Sequence, residues 1–92
     1  MSETKSAFTA EDLKRLYWHS RRGMLELDLL LVPFAERCLP QLADAELQLY
    51  RELLAEEDQD LFMWLTRRVP APTPRLQQII DTILDANAQP RA

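Results

Sequence analysis

One glycine, one cysteine and one histidine occur in 92 residues, and each scarcity narrows what the chain can be. The lone cysteine, Cys38, rules out an internal disulfide framework and suits a reducing compartment, so a cytoplasmic location is expected. A single glycine leaves no glycine-rich phosphate loop and no dinucleotide fingerprint. One histidine, one cysteine and scattered carboxylates give no metal-ligand spacing. His19 and Cys38 fall on different predicted helices, so nothing in their spacing joins a nucleophile to a base; a solvated or partner-facing His19 and a small apolar Cys38 are the simpler reading. No catalytic and no metal residue is assigned.

Long hydrophobic runs are also missing. A bilayer span needs ~20 apolar residues, and no segment supplies them, so no membrane insertion is expected. Ser20-Arg21-Arg22-Gly23-Met24-Leu25 ahead of Leu29-Leu30-Leu31-Val32 has the outline of a twin-arginine export signal. Glu26 and Asp28 break its apolar part, and no small-residue cleavage site follows.

What is present is a helix-forming chain with 47% hydrophobic residues, enough for one modest core. Without useful stretches of strand periodicity, the expectation is an all-α, compact five-helix bundle-like single domain over residues 1–92, ordered from about 9 to 87 with mobile termini. Thr9 caps a first helix from about Ala10 to Arg21, with Asp12 at its third position and Phe8 as a staple on Leu13. Leu13, Leu16, Tyr17 and Ser20 share one face. A second helix, about Met24 to Cys38, turns Leu27, Leu30, Leu31 and Phe34 inward; it is apolar on nearly all sides, which suggests a covered central helix. Pro33 is expected to kink or divide it. The third helix spans about Asp44 to Glu56, with Leu47, Tyr50, Leu53 and Leu54 inside. Asp58 caps a fourth, about Gln59 to Arg67, and Thr73-Pro74 opens a fifth that reaches about Ala86.

Charge is unevenly spread within a net −4. Lys14, Arg15, Arg21 and Arg22 are the only charged residues from Lys14 to Arg22, whereas Asp44, Glu46, Glu52, Glu56, Glu57, Asp58 and Asp60 face only Arg51. The acidic stretch has no calcium-loop spacing and reads as a solvated face. The basic one, interleaved with Tyr17, Trp18 and His19, suits either a nucleic acid or a protein carboxylate. Net acidity and the absence of a recognised nucleic-acid module favour the second.

Between these regions lies the one glycine. Gly23 either ends the first helix or caps the next, and Glu26 three residues on can return to the Gly23 amide as half a capping box. On that reading Arg22 is an exposed cation. Alternatively, Arg22, a closely approachable glycine backbone and Trp18 compose a protein-protein hot spot.

The run Trp18-His19-Ser20-Arg21-Arg22-Gly23-Met24-Leu25-Glu26-Leu27-Asp28, then Pro33-Phe34, Leu53-Leu54 and Asp58-Gln59-Asp60-Leu61-Phe62-Met63-Trp64-Leu65, resembles the SdhE family of succinate dehydrogenase assembly factor 2 or FAD assembly factor proteins. The resemblance covers roughly Leu16 to Arg67 and rests on Arg-Gly-x-x-Glu followed by Asp-x-Asp-Leu-x-x-Trp. Ala43 and Gln59 depart from the family's helix-start pattern and leave the motif intact.

The resemblance implies a five-helix protein that is not an enzyme. Family members bind the flavoprotein subunit of succinate dehydrogenase, and in bacteria that of fumarate reductase, and promote covalent FAD attachment there. By the family motif Arg22, Gly23 and Glu26 form the client-binding surface, with Arg21, Met24, Asp28 and Trp18 contributing. No tightly bound cofactor is implied, FAD being the client's, and a monomer with no nucleic-acid partner is expected. The competing expectation is a small nucleic-acid-binding or toxin-neutralising regulator.

Overall fold

Thr9 opens the first helix with a closed capping box. Its Oγ1 accepts from the Asp12 amide at 3.1 Å, and Asp12 Oδ2 accepts from the Thr9 amide at 3.0 Å. The computed structural model describes residues 8–88, and the expected mobile termini lie outside that span. Five helices follow one another: α1 (Ala10–His19), α2 (Leu25–Cys38), α3 (Asp44–Leu54), α4 (Asp58–Leu65) and α5 (Pro74–Ala88), with a 3-10 turn over Leu39–Gln41. No strand occurs among the described residues, so the fold is all-α as expected.

The inner faces meet in one core. Leu27, Leu31, Phe34, Tyr50, Leu53, Leu61, Ile79, Ile80 and Ile83 are shut off from solvent, and α5 packs against both α2 and α3. Burying side chains of this kind stabilises by roughly 1.5–3 kcal/mol each before ordering costs. One polar pair sits inside: Ser20 Oγ donates to the Leu16 carbonyl at 2.8 Å and accepts from the Tyr50 hydroxyl at 2.5 Å. Burial pushes the Tyr50 phenol up to about 12.

Several local expectations change. α1 stops at His19, and Ser20 to Met24 form the turn and loop into α2. α2 runs unbroken through Pro33; the carbonyl that loses its donor there belongs to Leu29, on the exposed side. That helix is not covered all round, since Leu25 and Leu29 are 69% and 63% exposed. Asn87 lies inside α5, where its side-chain amide donates to the Leu30 and Ile83 carbonyls and ties the helix to α2.

α4 ends at Leu65 in a Schellman motif. Arg68 N–H donates to the Met63 carbonyl at 2.9 Å and Arg67 N–H to the Trp64 carbonyl at 3.1 Å. The left-handed position this needs is occupied by Arg67, with φ 60°, instead of a glycine. Thr73 caps α5 as expected, its Oγ1 accepting from the Leu76 amide.

Candidate functional site

The loop over residues 21–24 is held by Arg22. Its Nε donates to Asp58 Oδ1 at 2.7 Å; one terminal nitrogen donates to the carbonyls of His19 and Leu54, the other to that of Glu56. His19 and Leu54 are the last residues of α1 and α3, so their carbonyls belong to the set a helix leaves without an internal donor. The guanidinium therefore closes two helix C-termini at once, where positive charge is favoured, while Asp58 sits in the first turn of α4, where negative charge is favoured. Only a planar fork of five donors can reach all four acceptors.

The backbone of the loop is fixed from two sides. Arg22 N–H donates to Asp28 Oδ1 at 2.7 Å, and Gly23 N–H donates to Asp58 Oδ2 at 3.3 Å. Asp58 thus bonds both Arg22 and Gly23, and the Arg22 contact holds its carboxyl below the usual range. This replaces both local expectations: Glu26 does not return to the Gly23 amide, and Asp58 is the first residue of α4, its carboxylate turned to the neighbouring loop. The residue before α2, Met24, makes no side-chain cap.

Gly23 has an ordinary negative φ, and a Cβ built on it would meet only Asp58 Oδ2, at 3.7 Å. Neither strain nor internal crowding requires glycine. Gly23 is exposed, as are Arg21, Glu26 and Trp18. Glu26 makes no side-chain hydrogen bond or ion pair among the described residues. Trp18 stacks edge-on to Tyr17, its ring lies under the Arg21 guanidinium at 5.8 Å, and it remains 60% exposed.

The seven residues singled out from sequence therefore divide. Arg22, with its side chain only 15% exposed, and the half-buried Asp28 hold the loop's shape. Met24 packs against the core. Trp18, Arg21, Gly23 and Glu26 are exposed, as are Leu25 and Leu29 on α2. Sequence reasoning missed Asp58 as the partner of Arg22, a pairing across 36 residues, and missed the exposure of Leu25 and Leu29.

Two concavities flank this region and the far end of α4. One, about 230 Å³, is lined by Asp12, Arg15, Leu16, His19, Arg51, Leu54 and Ala55; the other, about 340 Å³, by Trp64, Arg67, Val69, Pro70 and Gln77. Pockets for drug-sized ligands run ~300–1,000 Å³, so the first concavity is below that range and the second at its lower end. Among the described residues there is no grouping of metal ligands and no helix long and apolar enough to cross a membrane.

The chain is similar to known proteins over most of its length. The chain is 52% identical over 80 residues to the FAD assembly factor SdhE of Pseudomonas savastanoi pv. phaseolicola, an alignment covering 87% of this chain and 94% of that one. It is 50% identical over 74 residues to the FAD assembly factor SdhE of Pseudomonas aeruginosa, covering 80% and 88%, and 38% identical over 80 residues to that of Vibrio cholerae, covering 87% and 93%. The model of one family matches residues 14–87, which include all five helices apart from the start of α1 and the last residue of α5. On this match the chain belongs to the Sdh5 family, flavinator of succinate dehydrogenase.

Proposed function

We propose that the protein is an assembly factor that binds the flavoprotein subunit of succinate dehydrogenase, and that of fumarate reductase, and promotes covalent attachment of FAD to that client. The observation that carries this reading is Gly23: the fold has room for a Cβ there, so the exposed, unshielded backbone is a feature a partner can use and not one the fold needs. A bare, hydrogen-bonded backbone flanked by Trp18, Arg21 and Glu26 lets a partner approach closely.

The mechanism is a holding one. Covalent flavinylation requires the client's histidine to be oriented on the flavin, and a helper raises the population of that conformer only by binding it better than the others. Arg22, Asp28 and Asp58 keep the docking loop in one shape, so little ordering cost falls on binding. Trp18, Arg21, Gly23, Met24 and Glu26 meet the client. The reacting atoms belong to the client and FAD; this chain is a cytoplasmic, monomeric helper with no catalytic residue, no tightly held flavin and no nucleic-acid partner.

The test mixes apo-flavoprotein and FAD with and without this protein and follows covalent flavin by fluorescence of the denatured client. Wild type accelerates labelling and Glu26→Ala does so less. Labelling that proceeds at the same rate without the chain contradicts the proposal.

A further inference from the structure

Arg15 of α1 and Arg51 of α3, two cations that the docking loop leaves unused, line the concavity between these helices. Its floor is apolar, made by the buried Leu16 and Leu54 with Ala55, and its rim carries the exposed Arg15, His19 and Arg51. In a chain of net charge −4, neither Arg15 nor Arg51 forms an ion pair with a carboxylate among the described residues. Arg51 is held in place all the same: its guanidinium lies over the Phe8 ring at 4.8 Å and donates to Gln48 Oε1 at 2.8 Å. The one rim acid, Asp12, already accepts the Thr9 amide, which holds its carboxyl low, and both arginines lie close enough to lower it further.

We infer that this concavity is a carboxylate-binding subsite that receives an acidic side chain of the docked partner polypeptide. A Glu or Asp chain places methylenes on Leu16, Leu54 and Ala55 and its carboxylate between Arg15 and Arg51, where a charge-assisted pair forms. The volume of about 230 Å³ suits one or two side chains and falls below the range of cofactor pockets. Position supports the same occupant. The carbonyls of His19 and Leu54, residues that line the concavity, accept from the Arg22 guanidinium, so the concavity adjoins the loop that carries Gly23. The identity of that polypeptide rests on the proposed function above; the carboxylate chemistry of the subsite does not.

Side-chain NMR signals of Arg15, His19 and Arg51 are followed as a hexaglutamate peptide, a hexaglutamine peptide, succinate or a short DNA duplex is added at physiological salt. Hexaglutamate shifts all three, hexaglutamine does not, and the charge-reversed pair Arg15→Glu with Arg51→Glu abolishes the response while its circular dichroism matches wild type. An equal response to hexaglutamine, or succinate or duplex engaging the three residues as strongly as hexaglutamate, overturns the inference. Capture of the apo-flavoprotein of succinate dehydrogenase by the charge-reversed pair weakens roughly tenfold, as expected for losing two exposed charge contacts. Unchanged capture by that variant overturns the inference as well. If wild type captures no flavoprotein, the partner reading fails, and the peptide arm alone decides the subsite.

Discussion

Arg22 and Asp58 meet at 2.7 Å and join the loop after α1 to the first turn of α4. That contact fixes the shape of the loop over residues 21–24. Removing it should unsettle the fold as well as the function. Arg22→Ala leaves the Leu54 and Glu56 carbonyls without this donor and the Asp58 carboxylate with the Gly23 amide in place of its charged partner, and is expected to cost about 3 kcal/mol. Arg22→Lys, which keeps the charge and loses the fork, should cost about 1–2 kcal/mol. Urea unfolding checks both; a side chain used only for docking would leave the midpoint where it was.

Acid sensitivity follows from the same pair. The folded Asp58 carboxyl lies below its ordinary 3.8, so its contribution is present above that value and is lost as pH falls through the folded pKa. Asp58→Asn should be less stable near neutrality and should lose less further stability between about pH 5 and pH 2 than wild type. Glu52, held low chiefly by the Arg75 fork at 3.2 and 2.7 Å, keeps part of the acid slope in the variant. Unfolding free energy measured across that range gives the comparison.

Tyr50 supplies the alkaline counterpart. Its folded pKa of about 12 exceeds the ordinary 10.0, so the stability it contributes is full below 10.0 and is lost as pH rises through the folded value. Tyr50→Phe should lower stability near neutrality by about 1 kcal/mol, because Ser20 keeps its donation to Leu16 and loses only the incoming bond. It should also flatten the loss above pH 10. Chemical denaturation at neutral and alkaline pH reads both effects.

Arg67 offers a stabilising change. A non-glycine residue at φ 60° is disfavoured, and Arg67→Gly relieves that at the closing position of the Schellman motif. The exposed Arg67 to Asp81 contact at 3.4 Å that would be lost contributes little. The variant should gain about 1 kcal/mol in thermal or urea unfolding.

Much of the fold was legible because its signals are local. Thr9 with Asp12, Thr73 before Pro74, and apolar spacing along α3 and α5 each announce an element within a turn or two. What escaped was set by distant partners. Asp58 reads equally well as a helix cap, and only the approach of α1's loop, 36 residues earlier in the chain, directs its carboxylate to Arg22. The apolar α2 reads as covered all round, whereas α1, α4 and α5 pack against it and still leave Leu25 and Leu29 outside. Arg67 bears no glycine or asparagine signal of a left-handed residue; the α4 to α5 connection imposes that conformation. Within the site, Gly23 stood out by scarcity, but its negative φ shifts the explanation from conformation to access.

That shift makes Gly23 the most direct place to test the account. Gly23→Ala and Gly23→Arg are compared with wild type for urea midpoint and for capture of the apo-flavoprotein of succinate dehydrogenase. Both variants should unfold near the wild-type midpoint, since the added Cβ meets only Asp58 Oδ2 at 3.7 Å and the longer chain extends into solvent. Gly23→Ala should retain most capture and Gly23→Arg should abolish it. Full capture and normal client flavinylation with Gly23→Arg would contradict the claim that this loop is the docking site.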